Sequence, residues 1–512
     1  MLWAAWGLAL CAAVGARAAD GVAWLSAAND ADVERAFVQA RAENKPVLLY
    51  WGAKWCPPCN QLKATLFNQH DFIERSKSLV AVEIDGDLPG AQKLGARFKV
   101  SGYPTMVLMR TDGAEITRLP GEADAPQVLQ LLQLGLAGGR PTKAVLADAR
   151  AGKPLAAGEW RMLAFYSWAT DESQLLPELE RPGVLASLSA ACPASEADSA
   201  TRLMLKALAG SDDGKGVKAD AALRKRVRGW LADPAVVRAQ MDVFGNYAAE
   251  ITKALSAPGT ADRKAVVAAF DAALQRLQGD TSLSRIDRLT VLGARVDLAR
   301  VDASKAEHHP KIAPALQQQV RDTSAQADRD ITDGYERQAV ITGAAYVLGQ
   351  AGLWNDSDAL LKANLAKSHS PYYLMSQLAG NARKLGHKDE ALRWYEQAFV
   401  RSEGPATRLQ WGSQYVSALV ELAPSDGARL EKAVAQLIDE AALDKAAFDG
   451  RSARSLARVG QKLTQWNRDG KNDAVLERLR AKLGPVCTRL EGDAQARSAC
   501  EATFKPNAKT SA

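Results

Sequence analysis

Two cysteines, Cys56 and Cys59, stand in the pentapeptide Trp55-Cys56-Pro57-Pro58-Cys59. Such a pair can close a small disulfide ring or open to a dithiol. If a helix starts at the first cysteine, its sulfur meets backbone N–H groups that lack partners within the helix. The helix macrodipole also favours negative charge there. The thiolate is the nucleophile, so this setting lowers the thiol pKa and raises the reactive fraction at neutral pH. Pro57 suits the first helical position, where its fixed φ helps and its missing N–H costs little. Pro58 removes a second N–H, which leaves chiefly those of Cys59 and Asn60 as donors to the Cys56 sulfur. The expectation is a stiff turn with a modest pKa depression. A structural disulfide or half of a zinc site is the other reading of the pair. Zinc normally takes four ligands, and no second CxxC or spaced Cys/His pair occurs.

The surrounding chain supplies elements that would position this turn. Lys45 to Trp51 is an apolar run suited to a buried strand entering the CxxC, and Leu79 to Asp85 reads as a second strand. Gly102-Tyr103-Pro104-Thr105 then leads into a third, Met106 to Met109. Val22-Ala23-Trp24 is a candidate short strand. Asp30 or Asp32 is placed to cap a helix running to about Glu43, with Val33, Ala36, Phe37 and Ala40 on one face. Leu62, Leu66 and Phe67 give the CxxC helix its inward stripe. Residues 125–136 form a closing helix, with Asp124 as cap and Pro126 in its first turn.

Strand, CxxC helix, strand, then a proline entering a strand: this order resembles the thioredoxin superfamily over roughly residues 20–137. It is similar to the periplasmic thioredoxin-like branch that includes the C-terminal domain of DsbD. Trp55-Cys56-x-x-Cys59, Asp85 and Tyr103-Pro104-Thr105 carry the resemblance. It implies that Cys56 attacks, that Cys59 resolves, and that Pro104 is cis beside the disulfide. Trp55, Pro57, Pro58, Tyr103 and Tyr50 are expected to shape the site, with Trp55 a partly exposed lid over sulfurs open to solvent. The family often places a buried Asp six residues before the first cysteine, paired with a Lys on the next strand; here those positions hold Tyr50 and Ala81. The proton acceptor for Cys59 is therefore left open between Glu83 and a water.

A length of 512 residues implies several domains, and 47% apolar residues suffice for sizeable cores. A net charge of +6 is too mild to argue for nucleic acid. The densest basic run, Arg224-Lys225-Arg226-Val227-Arg228, reads as a solvated helix face. Residues 1–18 look like a secretory signal ending in Ala16-Arg17-Ala18, although the segment before the apolar run lacks Lys or Arg. Leu10 before Cys11 is too large for a lipidation site, and no later run is long and apolar enough to span a membrane. Export to the periplasm, with no membrane insertion after cleavage, is the expectation, and it permits structural disulfides. Cys487 and Cys500 lie in a helix–turn–helix layout, where a bridge would contribute about 3 kcal/mol. Cys192 is left as a buried, inert thiol.

Gly138-Gly139-Arg140-Pro141 marks a change of character. From about 142 to 505 strand-like runs nearly vanish and Gly or Pro turns punctuate helical segments. The expected fold is therefore α/β over residues 19–138, an all-α region over 142–334, and helical hairpins over 335–505. Within the last part, Ala391, Tyr395 and Ala398 after Gly386 resemble the second helix of a tetratricopeptide repeat. A generic helical bundle is the alternative. The five histidines form no ligand pattern, and neither a metal nor another cofactor is expected. Together these features imply a periplasmic thiol-disulfide oxidoreductase, with reduction favoured over oxidation or isomerisation. Its partners would be proteins with disulfides, recruited by the helical region, and a redox-recycling partner. The competing expectation is a non-catalytic scaffold that only docks partners.

Overall fold

The computed structural model describes residues 21–504 apart from 173, 212–215, 305 and 491. The expected signal segment and Cys11 lie outside the described residues. The sheet has five strands, β1 (Leu25–Ser26), β2 (Val47–Gly52), β3 (Val80–Asp85), β4 (Thr105–Met109) and β5 (Glu115–Leu119). Their order is β1-β3-β2-β4-β5. The first three run parallel, and β4 and β5 are antiparallel to their neighbours. All six residues of β2 are buried, as a central strand with both faces covered requires.

Alternation along the strands sorts the side chains between two cores. Val47, Leu49 and Trp51 pack with Val33, Phe37 and Ala40 of the helix Asp30–Glu43. Leu48 and Tyr50 face the other way, onto Leu62, Leu66, Phe67 and Phe72. That helix is capped by Asn29, whose side chain accepts the Asp32 N–H, rather than by either expected aspartate. Asp32 instead accepts the Ala28 N–H, which lies outside the helix. The closing helix Ala125–Leu136 is capped by Asp124 through the Gln127 N–H.

Beyond the turn at 137–141 the described residues form helices and no strand, apart from an isolated bridge of Asp171 to Val100, as the loss of strand-like runs implies. The turn interrupts secondary structure but not the core. Val145, Trp160, Leu163 and Phe165 continue the same apolar cluster that covers the Leu48 face of the sheet. Farther on, the helices Gly334–Gln350, Trp354–Asn364, Pro371–Lys384, Lys388–Arg401 and Pro405–Leu422 pack in chain order, each on the next. Among the described residues no helix is long and apolar enough to cross a membrane.

Two ion pairs and a disulfide fix this helical mass. Arg202 and Asp242, both 0% exposed in their side chains, form a two-pronged pair at 2.9 and 2.6 Å. The guanidinium also lies 3.9 Å from the centre of the Phe165 ring. Lys206 pairs with Glu122 at 2.9 Å and so ties the helices to the loop after β5. At the other end Cys487 and Cys500 are joined, linking the helices Asp473–Thr488 and Ala494–Ala502.

Removing one partner of a buried ion pair strands the other charge, so Arg202→Met is expected to cost about 3–5 kcal/mol. Urea unfolding should show it, and adding Asp242→Leu should restore much of the loss. Replacing Cys487 and Cys500 together by alanine should lower stability by about 3 kcal/mol, from loop closure alone. Comparing denaturant midpoints of the two proteins under non-reducing conditions checks it.

Candidate functional site

Cys56 is the N-cap of the helix Pro57–Thr65, with φ −68° and ψ 113°, and the two prolines fill the first two helical positions. The Cys59 N–H donates to the Cys56 sulfur at 3.2 Å. Asn60 does not act as a second donor: its backbone N–H goes to the Cys56 carbonyl at 3.0 Å. Its side-chain Nδ2 donates to the carbonyls of Cys56 at 2.8 Å and Lys54 at 2.9 Å, which ties the turn down from below. The two sulfurs are bonded, with Cα atoms 5.2 Å apart.

The Tyr103-Pro104 peptide is cis. A cis bond is uncommon even before proline. Tyr103 packs against the small cluster formed by Ala53, Cys56 and Cys59, as Trp55 does. Pro104 and Pro58 line one cavity of about 230 Å³, whose far wall is Met241, Gly245 and Val291 of the helical region.

Tyr50 sits under the site with its hydroxyl buried and unpartnered among the described residues. Burial pushes its phenol far above the usual range, so it takes up no proton near neutral pH. The acids stand on the neighbouring strand. Glu83 and Asp85 alternate with Val82 and Ile84, so they share the sheet face of Tyr50 and the CxxC helix. Glu83 is held by Lys63 of that helix at 3.0 Å. Asp85 pairs with Gly52 in the strand register and accepts the Asp87 N–H at 3.0 Å. Burial raises its pKa from the ordinary carboxylate value, the Asp87 N–H that it accepts opposes this, and the nearby charges of Asp87 and Glu83 add to the rise. Both acids line a cavity of about 600 Å³ with Ala53, Asn60, Lys63 and, from the helical region, Tyr335 and His369.

The expectation of sulfurs open to solvent fails. Cys56 is 2% exposed and Cys59 0%. The reason lies on the far side of the chain. Trp55 stacks on Tyr373 with ring centres 5.8 Å apart and meets Trp411 at 5.1 Å. Its indole N–H is shared between Asp87 at 2.9 Å and Thr407 at 2.7 Å. The helix Gly334–Gln350 packs along the CxxC helix, and Gln338 reaches the Trp55 carbonyl at 3.4 Å. Trp55 is thus a lid that is itself lidded. Sequence reasoning missed Asp87, Thr407, Tyr373, Trp411 and Arg451, because their partners are hundreds of positions away and no spacing links them. Paired aromatics at Tyr372 and Tyr373, in a chain with only 6% aromatic residues, were the one available signal.

Cys192 is half-buried, and burial pushes its thiol up to about 11. It is accordingly unreactive near neutral pH.

Residues 33–135 match the family model of a thioredoxin-like domain. The thiol:disulfide interchange protein DsbD of Pseudomonas fluorescens is 34% identical over 112 residues, 21% of this chain and 19% of that protein. A thioredoxin of Mycolicibacterium smegmatis is 32% identical over 89 residues, 17% of this chain and 77% of that protein. A solved thioredoxin of Thermus thermophilus aligns at 26% identity over 23% of this chain and 88% of that one, with a TM-score of 0.20. The chain spans about a fifth of the length of the DsbD proteins it matches. Through the sheet, the cysteine pair and the cis-proline of residues 33–135, this chain belongs to the thioredoxin-like family.

Proposed function

We propose that the chain is a periplasmic thiol-disulfide oxidoreductase that works chiefly as a reductase. The observation that carries the reading is the Cys56–Cys59 bond at a helix start, in a domain related to that of DsbD. In the reduced protein the Cys56 thiolate attacks one sulfur of a client disulfide. A mixed disulfide forms and the client's other sulfur leaves as a thiolate. Cys59, once deprotonated, attacks Cys56 and closes the 56–59 bond, and the client departs as a dithiol with both electrons. A dithiol partner must then return two electrons to the pair. The helical hairpins from about residue 335 onward would recruit clients or that partner, as repeat-like arrays commonly do.

Asp85 is the base we assign to Cys59. Tyr50 fills the position where the family often keeps an acid, and Glu83 is engaged by Lys63. Asp85 is half-buried on the same face, beside a cavity large enough for water to bridge it to the turn. The base form is the carboxylate. Because burial raises the Asp85 pKa, resolution should slow as pH falls through a value higher than an ordinary carboxylate's. Asp85→Asn should remove that inflection and slow mixed-disulfide resolution by about 100-fold. Stopped-flow resolution of a preformed mixed disulfide across pH checks both points.

A second reading, a docking scaffold without catalysis, draws support from the burial of both sulfurs. Cys59→Ser distinguishes the two. In cells it should accumulate mixed disulfides through Cys56, recovered by mass spectrometry and absent in Cys56→Ser. A trap that holds no client, together with no insulin reduction by the wild-type protein, would favour the scaffold.

A further inference from the structure

The closure over the CxxC is centred on one charged group from the helical region. Asp87, just past the end of β3, accepts hydrogen bonds from Trp55 Nε1 at 2.9 Å, Arg451 Nη2 at 2.8 Å and Thr407 Oγ1. The Arg451 guanidinium lies 5.1 Å from the Trp55 ring and 5.0 Å from the Tyr103 ring. Those two aromatics immediately precede Cys56 and the cis-proline. Arg451 therefore touches, at once, the neighbours of both halves of the redox centre. Its backbone N–H donates to Gln92 Oε1 at 2.9 Å, and Gln92 Nε2 donates to the Tyr103 hydroxyl at 3.0 Å.

The approach is built into the backbone. Gly404 has φ +84°, and a Cβ there would stand 2.6 Å from the Cβ of Asp87. Gly450, next to Arg451, has φ +50°, and a Cβ there would stand 2.9 Å from the Gln92 carbonyl oxygen. Both positions admit the α/β part only because they lack a side chain. The bonds at the centre are polar. The outermost, Lys54 to Glu403 at 3.3 Å, is well exposed.

We propose that Arg451, Asp87 and Thr407 form a latch that holds the helical region shut over Cys56. A protein disulfide reaches Cys56 only after the latch parts. The closed chain thus selects against bulky thiol reagents while small ones retain partial access. This rests on Cys56 as the reactive thiol, and its test reads thiol access directly rather than client reduction.

The test uses the full mature chain, reduced and desalted, with alkylation at Cys56 followed by peptide mass spectrometry. Two probes are compared, iodoacetamide and a polyethylene-glycol maleimide. A minor open state held to a few per cent slows the bulky probe correspondingly. Arg451→Ala should therefore speed the bulky probe by at least about tenfold, and the small probe by less. Thr407→Val should act in the same direction more weakly. A change in the thiol pKa alone would move both probes by one factor, leaving their ratio unaltered, and that result overturns the proposal. Equal rates in wild type and variants overturn it too. If Arg451→Ala loses helical circular dichroism, Thr407→Val, which keeps side-chain shape, decides. Faster labelling in the variants beside an empty Cys59→Ser trap would leave the latch standing and reject client reduction. A full trap with no variant effect would do the reverse.

Discussion

A sulfur at the first position of a helix is reactive because the backbone there points unpaired N–H groups at it, and that same geometry must be held still to be useful. In this chain the holding falls to Asn60 and to the prolines. Pro57 and Pro58 remove two N–H groups and fix φ, so the sulfur keeps one backbone donor, from Cys59. Asn60 spends its backbone N–H and its side chain on carbonyls of the turn rather than on the sulfur. The result is a turn with little freedom and a sparse donor set. What changes the environment of Cys56 from outside therefore matters more than it would in a turn with three donors.

That outside environment is asymmetric. On the side of Glu122, the α/β part and the helices share one apolar core, sealed by Arg202–Asp242 and Lys206–Glu122. The carboxylates of Asp242 and Glu122 are held below the usual range by the cations beside them, against the opposing effect of burial. The Arg202 and Asp242 charges, fully buried, are costly to separate. On the side of Trp55 the two parts meet through hydrogen bonds, stacked rings, the largely buried Arg451–Asp87 pair and outer, exposed pairs such as Lys54–Glu403. Exposed pairs contribute at most about 1 kcal/mol each. The two sides of the redox turn thus differ in kind, a continuous apolar core on one and hydrogen bonds, stacked rings and ion pairs on the other.

The redox turn and its supports were legible because they are local. The CxxC, its prolines and the following helix occupy ten consecutive positions, and the strand before them announces itself by an unbroken apolar run. The helix 125–136 carries its cap and its apolar stripe together, so its bounds follow from pattern alone. Shorter elements did not carry such signals. The first strand is two residues long and falls at Leu25–Ser26 rather than Val22 to Trp24. β5 was not expected, since its Glu115 and Arg118 disguise an alternating strand. Arg118 is in fact buried, with its guanidinium on the carbonyls of Phe98, Lys99 and Thr170. The burial of the sulfurs was beyond reach for a different reason. It depends on pairs such as Asp87 with Arg451, whose separation in the chain leaves no periodic trace.

The covering of Trp55 by its own chain also changes what a client must overcome. Tyr373, Trp411 and Thr407 are tethered to the site, so they meet it at an effective concentration on the order of millimolar. A client free at micromolar levels competes at a disadvantage of about a thousandfold unless it gains contacts elsewhere. The helical region offers such contacts over a surface far larger than the turn. Binding there that favoured the parted arrangement would shift the equilibrium by its difference in affinity for the two states, and by no more. Under the recruitment we propose, occlusion and docking by the same helices are two aspects of one energy difference. On the latch we propose, a molecule that engages the helices without parting Arg451 from Asp87 stays unreacted, however tightly it binds.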